Sequence, residues 1–199
     1  MPLQFPGKDR LIRALDAAVA LGDDHAVAEA LRDTLASLIV DTHVQLPALV
    51  QQPAEDHYAR RELYVSPEHG YSVVAMTWGP RQGTQIHDHA GVWCVEGVWQ
   101  GQLEITQYAL AEHVDSAYRF TAADTQLAEA GSAGALIPPH EYHTIRNASD
   151  ADIAVSLHVY KHSLDRCGIY LADAQRPGWM QCEDRTIHSD PLPAEPATH

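Results

Sequence analysis

Thirteen histidines stand in this 199-residue chain, and a few are placed to do chemistry. His87-Asp88-His89 is the first such place. On an extended strand successive side chains point to opposite faces, so the two imidazoles project together and Asp88 projects away. Two imidazoles on one face can share a metal ion. A third, His143, stands in Pro138-Pro-His-Glu-Tyr-His143-Thr-Ile-Arg-Asn147, where a proline turn leads into a strand. Imidazole nitrogen suits iron, zinc, copper and nickel alike, so the residues alone leave the metal open. A second constellation is Ser156-Leu157-His158-Val159-Tyr160. The same alternation puts Ser156, His158 and Tyr160 on one face and the two aliphatic residues on the other. With its polar face inward, such a strand inverts the usual barrel pattern, and a buried polar row must be hydrogen-bonded or functional.

The elements that must carry these residues follow from the hydrophobic period. Residues 8–21 read as an amphipathic helix with Leu11, Ala14, Leu15 and Ala18 on one stripe, ended by Gly22. Asp24 is the expected N-cap of a second helix bearing Val27, Ala30, Leu31, Leu35, Leu38 and Ile39. A helical or irregular stretch follows to about residue 60. From Gly70 the pattern alternates, in short runs over 71–78, 84–88, 91–99, 102–109, 117–121, 133–137, 142–146 and 151–160, separated by turn residues. Helices first and strands later predict a mainly β domain, a sandwich or barrel with N-terminal α-helices. The expected division is a helical segment over 1–66 packed on a barrel over 67–188, then a proline-rich tail, 189–199, expected to be disordered.

Composition excludes several function classes. A formal charge of −14 repels a nucleic-acid backbone. No apolar run approaches a membrane span, and the first residues lack a signal-peptide core, so a cytoplasmic protein is expected. Three cysteines, Cys94, Cys167 and Cys182, make no even disulfide framework and no CxxC pair. The sequence does not fix the oligomeric state; a monomer or small homo-oligomer is expected.

Two motifs together carry a family resemblance. Gly83-Thr-Gln-Ile-His87-Asp-His89, followed by Gly101, resembles the first cupin motif, and Pro138-Pro-His-Glu-Tyr-His143-Thr-Ile-Arg-Asn147 resembles the second. The likeness covers about residues 70–162 and implies a cupin double-stranded β-barrel (jelly roll) holding one metal at its mouth. Many cupins place a glutamate five residues after the second histidine of HxH; here that position is Cys94. Three neutral histidines then leave roughly three positions open on an octahedral metal. Glu96, two residues on, shares the strand face of Cys94 and is the candidate for a carboxylate that reaches the metal.

A three-histidine set with cysteine at that position resembles the cysteine dioxygenases of the thiol dioxygenase family. That resemblance implies one Fe(II) per chain, a small thiol, L-cysteine first, and O2 as reactants, and a sulfinic acid as product. It implies that Ser156, His158 and Tyr160 form a relay ending near the iron, and that Tyr160 can be joined to Cys94 by a thioether. Many bacterial relatives carry glycine in place of Cys94, so the link is not obligatory. Tyr58-Ala-Arg60-Arg61 resembles the Tyr-x-Arg segment whose arginine binds the substrate carboxylate, where 3-mercaptopropionate dioxygenases tend to carry glutamine. Ser163-Leu-Asp-Arg166-Cys167 resembles the family segment with a cysteine seven residues after the tyrosine, and Arg166 is a candidate second carboxylate partner, as mercaptosuccinate would need. Two rival readings are another cupin chemistry, such as an isomerase or a quercetinase-like dioxygenase, and a metabolite-binding cupin without activity.

Overall fold

A computed structural model describes residues 3–192. Helix α1 (Lys8–Val19) buries Leu11, Leu15 and Ala18, and α2 (Asp24–Ile39) buries Val27, Ala28, Leu31, Leu35 and Leu38, the stripes that helical spacing predicts. The cap of α2 lies one residue earlier than expected. Asp23 has extended backbone, and its carboxylate accepts the Ala26 N–H at 3.0 Å. Such a cap contributes about 1 kcal/mol. Asp24 is the first helical residue; its carboxylate pairs with Lys161 and accepts from Trp93 Nε1.

Eleven strands follow: β1 (Ala59–Val65), β2 (Ser72–Trp78), β3 (Ile86–His87), β4 (Cys94–Gln100), β5 (Gln102–Val114), β6 (Ala117–Glu129), β7 (Ala133–Leu136), β8 (His143–Asn147), β9 (Ala154–Tyr160), β10 (Arg166–Ala172) and β11 (Met180–Thr186). They form two antiparallel sheets. The first runs β1-β2-β9-β4-β7; the second runs β10-β11-β6-β5-β8-β3, and β3 pairs back to β10. The chain is thus mainly β with N-terminal helices, the double-stranded cupin barrel. Among the described residues no helix is long and apolar enough to cross a membrane.

The helices cover the outer face of the first sheet. Leu31 and Leu35 share one core with Val73, Ala75, Val95, Leu157 and Val159. Packing is close enough that a Cβ on Gly97 of β4 would lie 2.5 Å from Ile39 Cδ1. A second core lies between the sheets, with Val74, Met76, Trp78 and Val98 facing Leu103 and Ile145. This explains the inverted pattern of β9. Its aliphatic residues point outward into the helix layer, where they are dry, and that frees Ser156, His158 and Tyr160 for the barrel interior.

Three strands fall outside the sequence expectation. β1 lies in a stretch read as helical or irregular, because Arg60 and Arg61, both buried, hide its alternation. β11 is polar and largely exposed, and nothing apolar marks its period. β10 follows a segment read for its cysteine and not for its period. The tail expected to be disordered from 189 is pinned at its start. Asp190 N–H donates to Arg60 O at 2.6 Å, and Asp190 Oδ2 accepts the Arg60 N–H at 2.7 Å. Residues 193–199 lie outside the described residues.

Candidate metal centre

His87 ends β3 and His143 opens β8, and the two are direct register partners. His89 lies just past the end of β3, so the turn and not strand alternation alone aims it. Its N–H is held by Glu141 Oε2 at 3.0 Å. Asp88 points the other way, as expected, accepting Gly168 N–H and Tyr170 Oη–H, each at 2.9 Å. One ligand-type nitrogen from each of His87, His89 and His143 lies within 4.8 Å of the others.

Several observations test whether these residues suit a metal. The His143 Nδ1 donates to Glu141 O at 2.9 Å and the His87 Nδ1 to Gln85 O at 3.0 Å. In each ring the lone pair is therefore left on Nε2, the tautomer a metal needs. His89 Nδ1 and His143 Nε2 are buried with no hydrogen-bond partner among the described residues. Burial, reinforced for His89 and His143 by the neighbouring imidazoles, pushes all three rings below the usual histidine range and keeps them neutral. Three neutral imidazoles whose ligand-type nitrogen atoms lie together, with His143 Nε2 buried and without a hydrogen bond, fit a divalent metal.

A cavity of about 510 Å³ opens onto this centre, lined among others by His87, His89, Tyr160, Arg60, Cys167 and Arg185. Of the adjacent arginines only Arg60 faces it. Arg61 turns away to Thr77 Oγ1 and Gln52 O. Arg60 donates to Ser189 Oγ at 2.7 Å and Leu164 O at 3.0 Å, and its guanidinium lies 5.9 Å from the Tyr160 ring centroid. Two of its five N–H groups are thus committed. Arg166 does not join the site. It is exposed and paired with Asp184, because alternation along β10 gives the cavity Cys167 and Ile169 instead. Arg185, the register partner of Cys167, lines the cavity. Nothing in the sequence marks it, because β11 is polar and shows no apolar period. Arg166→Ala is accordingly expected to leave the Michaelis constant for substrate within about twofold of wild type, checked by steady-state kinetics.

The inward row of β9 forms a chain. Trp78 Nε1 donates to Ser156 Oγ at 2.9 Å, and Ser156 Oγ meets His158 Nε2 at 2.8 Å. The serine proton then goes to Nε2 and the ring proton to Nδ1, a tautomer assigned from this network. His158 Nδ1 faces Glu96 Oε2 at 3.3 Å, Tyr160 Oη at 3.5 Å and Cys94 Sγ at 4.0 Å. Burial and the Arg60 charge push His158 down to about 3, so it is neutral. Burial pushes Tyr160 well above its usual range, so its hydroxyl keeps its proton. Glu96 does point inward. Its Oε2 lies 3.8 Å from His143 Nε2, and burial pushes its carboxyl up to about 8. Sequence reasoning also passed over Trp78 and Glu141. A buried indole that needs an acceptor, and an acid inside the second histidine motif, were the available signals.

The family model for cysteine dioxygenase type I matches residues 51–172. The chain belongs to that family. Cysteine dioxygenase type 1 of Rattus norvegicus is 27% identical over 164 residues, covering 76% of this chain and 77% of the rat protein. The Homo sapiens protein of the same name is 25% identical over 135 residues, and the match covers 67% of this chain and 65% of the human one. Among solved structures, an uncharacterised conserved protein with a double-stranded beta-helix domain from Klebsiella pneumoniae is 15% identical, with a TM-score of 0.46, over 60% of this chain and 84% of that one.

Within this cysteine dioxygenase family member, Cys94 of β4 and Tyr160 of β9 are directly opposite in register. Opposed Cβ atoms on neighbouring strands sit about 4.5–5.5 Å apart, within reach of a thiol and a phenol ring. We propose that a thioether forms between them in part of the purified protein, with dioxygen as the oxidant that takes the two hydrogens lost from the thiol and the ring, a loss seen in the intact mass and absent from Cys94→Ser. An unmodified mass in fully active protein would show that the link plays no part.

Proposed function

We propose that this protein is a thiol dioxygenase, converting a small thiol that bears a carboxylate, L-cysteine first, and O2 into the sulfinic acid. The observation that carries this reading is the set of three neutral, converging imidazoles on a cavity whose wall also holds a buried arginine and a buried tyrosine. The balance is RSH + O2 → RSO2H. Sulfur loses four electrons, dioxygen gains four, and the product's proton leaves at neutral pH. Iron(II) held by His87, His89 and His143 would favour the thiolate form of the substrate and supply the redox activation of O2.

The chain's own residues do the rest. Arg60 binds the carboxylate, with a planar fork suited to it. Tyr160 keeps a proton on Oη beside the reacting sulfur, and His158, held by Ser156 and Trp78, orients that hydroxyl. A guanidinium–carboxylate pair in a partly desolvated cavity contributes about 2–3 kcal/mol, so Arg60→Ala is expected to raise the Michaelis constant roughly 30- to 200-fold. Full metal content in the variant, with cysteamine handled poorly even by wild type, would tie the loss to the carboxylate.

A second reading, a cupin that acts on a non-thiol substrate with Glu96 as a fourth ligand, draws on the 3.8 Å approach of Glu96 to His143. Glu96, however, clusters with Cys94 and His158 and not with the three imidazoles. Oxygen uptake by iron-loaded protein with cysteine, 3-mercaptopropionate and mercaptosuccinate side by side tests the proposal. Cysteine is expected to give the highest specificity constant. A roughly tenfold advantage for 3-mercaptopropionate would replace the substrate and keep the chemistry. Uptake with none of the three would remove the thiol dioxygenase reading.

A further inference from the structure

β4 and β9 build a second group of ligand-type side chains beside the three imidazoles. Cys94 and Glu96, two apart on β4, share one face of the strand, and His158 of β9 is the register partner of Glu96. All three are buried, and one ligand-type atom from each lies within 4.8 Å of the others. Glu96 Oε2 has no hydrogen-bond partner among the described residues. It stands 3.3 Å from His158 Nδ1, and Cys94 Sγ stands 4.0 Å from the same nitrogen. A buried carboxylate oxygen with no donor is costly, and an ion between it and the imidazole removes the cost. The spacing suits one. Zinc bonds of about 2.0–2.2 Å to nitrogen and oxygen, at a tetrahedral angle, hold those atoms about 3.4 Å apart. Nitrogen and sulfur on the same ion lie about 3.6 Å apart, so Cys94 Sγ needs to move by only about 0.4 Å.

We propose that Cys94, Glu96 and His158 form a second metal site, which takes a thiophilic divalent ion such as zinc and, when filled, withdraws His158 from Tyr160. The donors separate it from the first centre. Three imidazoles suit several metals, whereas a set that includes a thiolate selects for zinc and its like. The thiol and carboxyl protons leave as the ion enters. A thiolate and a carboxylate together balance a divalent ion, so the filled site buries no net charge. The ring proton of His158 then sits on Nε2 and is donated to Ser156 Oγ at 2.8 Å, which accepts Trp78 Nε1–H on its other lone pair. Such a contact behind a ligand fixes its orientation. Entry does not cross the first centre. Glu96 and His158 line a cavity of about 130 Å³, whose lining also includes the exposed Gln107, Asp124 and Gln126.

The consequence for Tyr160 rests on the relay proposed above; the site itself does not. His158 Nδ1 is 3.5 Å from Tyr160 Oη, and an ion on that nitrogen leaves the hydroxyl without its orienting partner. A chain whose Cys94 is already joined to Tyr160 has no thiolate to offer, so the site belongs to the unlinked chain.

Cobalt(II) is the probe, because a thiolate bound to it gives a near-ultraviolet charge-transfer band that imidazole ligands do not give. Tyr160→Phe cannot form the thioether and leaves every Cys94 available. Cobalt added to this variant is expected to give the band. Built on Tyr160→Phe, the band is expected to persist with Cys167→Ser and with His143→Ala and to vanish with Cys94→Ser. Glu96→Gln, which keeps the shape of the side chain, is expected to weaken the cobalt that gives the band about tenfold or more. No band in Tyr160→Phe would overturn the site. So would a band that survives Cys94→Ser, or one lost with His143→Ala, which would assign the sulfur to the first centre. In iron-loaded wild type, zinc is expected to lower turnover in proportion to the unlinked fraction read from the intact mass, with iron retained, and to have no such effect on Cys94→Ser. Bound zinc with full turnover would overturn the control over Tyr160. Failure of every thiol to support oxygen uptake would strike the oxygenase reading, a result separate from the cobalt band.

Discussion

Replacing His143 with alanine is expected to strip the metal and abolish turnover. His143 is fully buried, and its Nδ1 is tied to Glu141 O, so its Nε2 is fixed before any metal arrives. That nitrogen has no hydrogen-bond partner among the described residues. Changing a contact behind a metal ligand typically costs about 10- to 100-fold in metal affinity, and removing the ligand itself costs more. Two imidazoles cannot fix three facial positions. Iron per chain is therefore expected to fall by about tenfold or more after desalting. His87→Ala and His89→Ala should behave alike. His162→Ala, an exposed histidine outside the cavity, should retain both metal and activity. Full metal occupancy in His143→Ala would remove His143 from the ligand set.

Tyr160→Phe is expected to keep the fold and the metal and to slow turnover by roughly ten- to a thousandfold, the range for loss of a positioned proton donor. The ring remains, and with it the packing in the inter-sheet core and the contact beneath Arg60. What disappears is a hydroxyl whose proton is held by burial and whose direction is set by His158. The loss should appear in the turnover number with little change in the Michaelis constant for the thiol, because the carboxylate contact proposed for Arg60 is untouched. Ser156→Ala should show a smaller effect of the same kind, since it acts only through His158. An unchanged rate in Tyr160→Phe would make Tyr160 a packing residue.

The sequence made some parts of this molecule plain and hid others, for physical reasons. The helix stripes and the apolar strands β2, β4 and β9 were legible because each buries an aliphatic face. β9 gave the most, since three polar residues alternating with aliphatic ones made sense only with a covering layer outside and a working interior. β1 was hidden by two arginines that the fold buries in opposite directions, one on the site and one on the backbone of residue 52. β11 was hidden by its polarity, and with it Arg185, which lines the cavity where Arg166 had been expected. Neighbours in sequence need not share a face of a strand. Alternation along β10 separates Arg166 from Cys167. Glu96 was legible as a residue on the face of Cys94, but its distance from His143 depends on the register of β4 with β9, which no local pattern sets.

The most direct test of the account is the origin of the product's oxygen atoms. Iron-loaded protein turned over with L-cysteine under 18O2 is expected to give cysteine sulfinate carrying two 18O atoms, with one O2 consumed per thiol. Tyr160→Phe should give the same labelled product more slowly. Cystine as the product, or a sulfinate whose oxygen comes from water, would contradict dioxygen transfer at the three-histidine centre.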